Sequence, residues 1–296
     1  MTRAAGVPKG LRYMALGAFW FSVMSLLVRM TGERIPSMEI VLARGFITLA
    51  LSLLAVKRAG IAPVLGNNRR LLLVRGLLGA TALSCFFFSL THLPLGEATL
   101  IQYTNPVFAS LVAAYVFGER VHGADLLALL ASLIGVILIA RPAFLFPAQD
   151  VSLDPRHVAI ALLGAFCSGT AYATIRRMTT ERAEVIVLYL PLMTIPISVP
   201  FAASTWVTPT PLEWLMLLGI GITTQTAQTF MTRGLQLERT ARATTVGYLQ
   251  IVFAVIWGAL ALNERPSGWT LVGAIVIVGS TLGVAWLRRI VGAGDE

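Results

Sequence analysis

The sequence has little charge, little cysteine and little histidine. Charged residues make up 12% of its 296 positions, and it contains 2 cysteines and 3 histidines. A soluble domain usually carries roughly 25% charged residues, so the chain lacks the polar surface that a soluble protein of this length needs. The sparse cysteines and histidines show no metal-site spacing and exclude a disulfide scaffold. Disorder and nucleic-acid binding are excluded as well.

Apolar residues are abundant instead, at 56% of the chain, and they lie in long runs. A helix that crosses the hydrocarbon core needs about 20 such residues. The runs are apolar on every face, which excludes an alternating porin-like barrel. The sequence therefore predicts an all-α integral membrane protein with no room for a soluble domain. Ten transmembrane helices are predicted at residues 13–30, 40–56, 71–90, 98–118, 126–140, 158–175, 185–212, 214–232, 243–263 and 266–287.

The basic residues indicate how the helices are oriented. If the N-terminus is cytoplasmic, most lysines and arginines fall in cytoplasmic segments, including the group from Lys57 to Arg75. This bias predicts a multi-pass protein of the plasma membrane, the inner membrane in a bacterium, with both termini cytoplasmic. The net charge of +9 is then mainly an orientation signal, with some attraction to anionic membrane lipids.

The two halves of the chain resemble each other. Residues 16–19 recur at 163–166, Tyr103 matches Tyr248, and Glu119 matches Glu264 at nearly the same offset. We expect an N-terminal five-helix repeat at 1–141, a connecting loop at 142–157 and a C-terminal five-helix repeat at 158–296. Because five is odd, the second repeat enters the membrane inverted. Inverted repeats around a central cavity are typical of secondary transporters that work by alternating access.

Several motifs carry a family resemblance: Asn105-Pro106, the run at 117–120 with Gly135-Val136, and echoes at 262–265, 273 and 279. Through them the chain resembles the ten-helix EamA-type branch of the drug/metabolite transporter superfamily. Within it, the chain is similar to bacterial exporters of aromatic amino acids and methyl viologen. The resemblance implies a metabolite exporter built from two inverted five-helix halves. The second half has Ile251 where the first has Pro106.

Polar residues inside the spans are candidates for a transport path, because polar groups that face lipid are costly. Pro106 should kink the fourth span and free the carbonyl of Gln102, which with Asn105 is a candidate to receive an ammonium group. A purely structural kink and inter-helix hydrogen bonds are the competing explanations. The candidate substrate-binding residues are Trp20, Ser84, Thr99, Gln102, Tyr103, Asn105, Ser168, Tyr172, Gln225, Gln228, Thr244, Tyr248 and Gln250. They predict a neutral cavity with amide, hydroxyl and aromatic walls.

Three charged residues near the spans have two interpretations each. Arg44 and Arg75 are candidates to meet a substrate carboxylate, but we expect Arg75 to extend to the inner surface and Arg44 to pair with Glu39. Glu97 is a candidate to carry a coupling proton, but we expect it to favour the N-terminus of the fourth helix. Glu119 and Glu264 are expected to fix helix ends.

The predicted function is export of small organic metabolites, chiefly amino acids including aromatic ones. Export of drugs or aromatic cations by the same fold is an alternative, and a channel is another. No HExxH or GxSxG motif is present, so we expect no enzymatic activity, cofactor or metal. Small residues at Ala131/Gly135 and Gly279/Gly283 favour close helix packing. We expect that packing within a monomer, with a dimer as the alternative.

Overall fold

The computed structural model describes residues 7–61, 65–93, 95–142, 145–146 and 153–291, and within them it contains helices and no strands. Much of the predicted connecting loop 142–157 lies outside the described residues. The helices are α1 (Lys9–Thr31), α2 (Ser37–Arg58), α3 (Arg69–His92), α4 (Leu95–Gln102), α5 (Asn105–Tyr115), α6 (Gly123–Ala140), α7 (Pro155–Arg177), α8 (Ala183–Ser204), α9 (Pro211–Leu237), α10 (Thr240–Gly247), α11 (Leu249–Ala261) and α12 (Gly268–Val291).

Eight segments of the described chain are long and apolar enough to cross a membrane: α1, α2, α3, α6, α7, α8, α10 joined with α11, and α12. The prediction of an all-helical membrane protein is therefore confirmed. The predicted fourth span is divided between α4 and α5, and the ninth between α10 and α11. The eight do not include α9, which carries many threonines and glutamines along its 27 residues. The count of ten spans stays a prediction.

The helices pack in a small set of pairs. α1 packs on α9, α3 on α7, α2 on α8 and α6 on α12, while α5 also contacts α7 and α11 also contacts α1. Glycines allow the closest of these approaches. A Cβ atom on Gly135 would lie 2.8 Å from the carbonyl oxygen of Gly273, and one on Gly273 would lie 2.6 Å from that of Gly135. The backbones of α6 and α12 therefore touch at these two positions.

The small residues predicted to pack closely have different surroundings. Gly135 lies at the contact between α6 and α12, as expected for packing within one chain. Gly279 and Gly283 face open space, since a Cβ atom on either would meet nothing within 4 Å. The prediction of packing within the monomer is thus wrong for this second pair, because α12 turns their side away from the other helices described.

Two acidic residues join the halves at the end of the bundle that is predicted to face the cytoplasm. Glu119 accepts hydrogen bonds from the backbone nitrogen and the hydroxyl of Thr240, at 2.7 and 2.8 Å, where α10 begins. Asp125 in the first turn of α6 accepts two bonds from Arg242 of α10, at 2.9 and 3.1 Å. Glu119 thus fixes a helix end, as expected. Glu264 forms an exposed ion pair with Arg29.

Candidate functional site

A cavity of about 380 Å³ lies in the interior of the helix bundle. Pockets for small organic ligands usually have volumes of about 300–1,000 Å³, so a small metabolite fits this space. The wall is built from both halves of the chain. The N-terminal half contributes residues on or between α1 and α5, and the C-terminal half contributes residues on or between α7 and α11.

Ten of the thirteen candidate residues line this cavity. They are Thr99, Gln102, Tyr103, Asn105, Ser168, Tyr172, Gln228, Thr244, Tyr248 and Gln250. The helical spacing of the polar residues in the fourth and ninth spans therefore predicts correctly which faces turn inward. Their hydroxyl and amide groups give the cavity polar positions between aromatic walls.

Trp20 and Ser84 do not line the cavity, and the rotation of their helices explains both errors. On α1 the lining face runs through Gly17 and Phe21, and Trp20 lies about 100° around the helix from the middle of that face. Its ring packs edge-on against Phe19, with centroids 5.6 Å apart. Ser84 lies about 150° from the lining face of α3, and its hydroxyl donates to the carbonyl of Ala80 at 3.0 Å.

Gln225 lies beside the cavity rather than in its wall. It borders a much smaller gap among α2, α8 and α9. Its side-chain oxygen accepts a hydrogen bond from Ser52 of α2 at 3.1 Å. The two glutamines expected on one stripe therefore have different surroundings. Gln228 borders both spaces, whereas Gln225 borders the smaller one and ties α9 to α2. This is the inter-helix hydrogen bond that was the competing explanation.

Both divided spans change direction at the cavity wall. α4 ends at Gln102, and α5 begins at Asn105 with Pro106 in its first turn, so the predicted kink is a break between two helices. α10 and α11 meet at Tyr248 without a proline. The hydroxyl of Tyr248 donates to the carbonyl of Tyr103 at 2.8 Å. One break is therefore hydrogen-bonded to the other across the cavity.

Two arginines line the cavity, contrary to the expectation of a neutral wall. Arg75 does not extend to the surface: only 3% of it is exposed, and its Nη2 donates to Gln228 at 3.2 Å. Its Nε and Nη1 have no hydrogen-bond partner in the described structure. Arg44 borders the same cavity, and its expected partner Glu39 instead accepts from the backbone nitrogen of Val207 at 2.9 Å.

Glu97, the acidic residue near the start of the fourth span, lies outside the cavity wall. Glu97 is buried in the first turn of α4, where a carboxylate is favourable beside the helix N-terminus, and it is not among the lining residues. No aspartate or glutamate lines the cavity in the described part of the chain. The wall therefore presents two cations and no anion.

Sequence reasoning predicted aromatic walls but missed the methionines of the cavity wall. Met14, Met24 and Met231 line the cavity beside Phe21 and Phe86. No single-sequence signal separates such residues from ordinary core or lipid-facing side chains. Met14, Phe21 and Met24 share one face of α1 with Gly17, and that spacing was the one available clue.

A model of the EamA-like transporter family matches residues 8–141 and, separately, residues 156–286. The chain belongs to this family. The resemblance inferred from its motifs is thus confirmed, and membership places the chain among multi-pass membrane transporters of small molecules.

Individual relatives of this EamA-like chain cover nearly all of it. The pseudopaline exporter CntI of Pseudomonas aeruginosa is 31% identical over 283 residues, covering 95% of the chain and 97% of the relative. Solute carrier family 35 member G1 of Homo sapiens is 29% identical over 291 residues, covering 93% of the chain and 78% of the relative. The S-adenosylmethionine uptake transporter of Rickettsia prowazekii is 20% identical over 280 residues, covering 95% and 93%.

The chain shares its fold with solved structures, among them a crystal structure of a protein. It is similar with a TM-score of 0.82 at 21% identity, covering 95% of this chain and 98% of that one. The named relatives include an exporter and an uptake transporter. They therefore support small-molecule transport in common and do not fix the direction or the substrate for this chain.

Proposed function

We propose that the protein is a secondary transporter that exports small organic metabolites, amino acids including aromatic ones among them. The observation that carries this proposal is the cavity of about 380 Å³ inside the bundle, walled by residues of both halves. Its polar groups are amides, hydroxyls and the guanidinium groups of two arginines, while Phe21 and Phe86 supply apolar faces. Such a mixture suits a small molecule that has both polar and apolar parts.

Alternating access by two inverted five-helix repeats is the proposed mechanism. The family model matches 8–141 and 156–286 as two separate segments, close to the proposed repeats 1–141 and 158–296. If each of the first five spans is exchanged with its counterpart in the second five, the α1–α9 contact becomes α7–α3 and the α5–α7 contact becomes α11–α1. Both of these helix pairs are in contact. Counting α4 with α5, α10 with α11, and α9 as a span gives the proposed ten.

The proposed location is the plasma membrane, the inner membrane in a bacterium, with both termini cytoplasmic. The distribution of lysine and arginine supports that orientation. In this arrangement the contacts of Glu119 with Thr240 and of Asp125 with Arg242 hold the cytoplasmic ends of the two repeats together. Their opening would be part of the inward-facing transition, and the monomer is proposed as the transporting unit.

Export of aromatic cations is the weaker alternative for the same fold. A cationic substrate is attracted by a carboxylate or an aromatic face, and although aromatic rings line the cavity, its wall has no carboxylate and two arginines among the described residues. A channel is weaker still, because a conducting pore needs a ring of charge or a carbonyl filter. The cavity is lined instead by side chains of varied chemistry.

The proposal is tested by efflux from proteoliposomes loaded with labelled amino acids, both acidic and aromatic. We expect a saturable rate that rises when unlabelled substrate is present outside. Gln102→Ala, in the cavity wall, should reduce the rate, and Phe46→Ala, an exposed position on α2, should not. A rate that increases linearly with concentration and ignores external substrate would refute a carrier.

A further inference from the structure

We propose that Arg75, together with Arg44, binds a carboxylate of the substrate, so that the preferred cargo is a small organic acid with more carboxylates than ammonium groups. The inference rests on the proposed transport function and names the substrate class of the same cavity. Acidic amino acids and simple dicarboxylates belong to this class. Neutral amino acids are predicted to be weaker substrates, and amides weaker again.

The position of Arg75 is the first support. It lies six residues after the start of α3, which is about 9 Å along the helix axis, and 3% of it is exposed. An arginine at such depth is costly in a membrane and usually marks a substrate or ion pathway. Because guanidinium stays protonated in proteins, the cavity wall contains a permanent positive charge there.

The unused hydrogen-bonding capacity of Arg75 is the second support. Gln228 accepts one hydrogen bond from Nη2 at 3.2 Å, while the buried Nε and Nη1 have no partner in the described structure. A buried donor without an acceptor is unfavourable, and more so when it is charged. A carboxylate in the cavity would accept from this group in the two-pronged geometry that guanidinium and carboxylate share.

The surroundings leave room for that ligand. Gly79 lies one turn further along α3, where a Cβ atom would come within 3.6 Å of Nη1 of Arg75. Cδ1 of Leu190 lies 2.8 Å from the same position, so Leu190 fills the space beside this glycine. Gln228 orients the guanidinium through its hydrogen bond, and the room for a ligand comes from the cavity of about 380 Å³ that Arg75 lines.

Arg44 supplies the second positive charge of the proposed site. It lies seven residues after the start of α2, about 10 Å along that helix, and borders the same cavity as Arg75. Arg44 lies about a third of the way along α2 and Arg75 about a quarter of the way along α3, and the two helices run in opposite directions in the predicted topology. Two cations without a carboxylate in the described wall favour a ligand with net negative charge.

The experiment compares matched probes that differ only in charge: succinate with succinamide, and glutamate with glutamine. Binding is measured by thermal unfolding of the full chain in lipid nanodiscs across probe concentrations, and flux is measured in proteoliposomes. We expect the acids to bind at least tenfold more tightly than the amides. Since hydrogen bonds to charged groups contribute about 1.5–3 kcal/mol, Arg75→Gln should weaken succinate binding about 10- to 100-fold.

The decisive readout is the ratio of succinate to succinamide affinity. Arg75→Gln should lower this ratio about 10- to 100-fold, with succinamide binding unchanged. Arg75→Lys should retain part of the ratio, because it keeps the charge and loses the planar fork. Arg44→Gln should reduce the ratio as an independent variant. Arg58→Gln, at the exposed end of α2, is the control and should leave it unchanged.

Each result separates the two proposals. Equal binding of acid and amide by the wild-type protein, binding of neither, or a ratio that survives Arg75→Gln overturns the carboxylate site. Saturable flux of neutral amino acids without preference for acids leaves the transporter standing and refutes the site. Acid-selective binding that depends on Arg75, without any flux, supports the site and refutes transport. If Arg75 only tied α3 to α9, stability would change and the ratio would not.

Discussion

Gly169 lies where α7 supports the start of α5, and replacing it with alanine is a direct test of the helix arrangement at the cavity. A Cβ atom on Gly169 would lie 2.5 Å from the carbonyl oxygen of Asn105, 2.6 Å from the backbone nitrogen of Ala109 and 2.8 Å from Cβ of Phe108. Comfortable contacts of this kind need about 3.5 Å. Backbone atoms cannot rotate away, so α5 must move from α7 by about 1 Å.

The expected loss of stability follows from two opposing effects. Overpacking of a well-packed interior usually costs about 1–3 kcal/mol. Alanine favours the helix over glycine by about 1 kcal/mol, which offsets part of that cost. We therefore expect a net loss of up to about 2 kcal/mol for Gly169→Ala. Transport should fall as well, because Asn105 and Pro106 at the displaced start of α5 line the cavity.

Gly279→Ala is the matched control for Gly169→Ala. It makes the same change in a predicted membrane helix, and its new Cβ atom meets nothing within 4 Å. Thermal unfolding of the purified proteins in nanodiscs and efflux from proteoliposomes measure the two effects. Gly279→Ala should be as stable as the wild type or more so, with normal transport. If Gly169→Ala matched it in both measurements, the close packing of α5 on α7 would be wrong.

Three further experiments test other parts of the structure. Asp125→Asn and Arg242→Gln each break the same bidentate pair, and each should cost about 3–5 kcal/mol on its own. A double-mutant cycle of unfolding free energies checks this, and simple additivity of the two losses would contradict the contact. Tyr248→Phe loses the hydrogen bond between the two helix breaks and should cost about 1 kcal/mol and slow efflux, whereas the same change at the exposed Tyr115 should do neither. Glu213 has its pKa lowered to about 2 from 4.5, first by the hydrogen bond of its arginine partner. The contribution of ionised Glu213 to stability is therefore complete above pH 4.5 and disappears as the pH falls towards 2. Glu213→Gln should flatten that part of a plot of unfolding free energy against pH. An unchanged plot would contradict the pair of Glu213 with Arg34.

The helical membrane class and the family could be predicted from the sequence because each depends on local patterns. Long apolar runs specify helices whatever their neighbours are. The polar faces of the fourth and ninth spans were also predictable, since Thr99, Tyr103 and their counterparts Thr244 and Tyr248 recur at helical spacing. All four line the cavity.

The rotation of the remaining helices was not predictable, because it depends on contacts between distant segments. Ser84 is polar and lies in a span, but α3 turns its other side to the cavity. Gln225 has the spacing of a lining residue, and its actual partner, Ser52, is 173 positions away. Arg75 is near the start of an apolar run, so its sequence position fits an interfacial arginine as well as a buried one. Burial against α7 and α9 decides between the two.

The scarcity of charge makes the two cavity arginines more informative than they would be in a soluble protein. Several other arginines of the described chain have an acidic partner within the protein: Arg34 with Glu213, Arg233 with Glu184, and Arg242 with Asp125. The cavity offers Arg75 an amide and no carboxylate. Every charge inside a membrane has a cost. A buried cation with no carboxylate partner within the described protein therefore implies an anionic partner that binds and dissociates. A substrate carboxylate meets that requirement, so the site should be more stable when it is loaded than when it is empty.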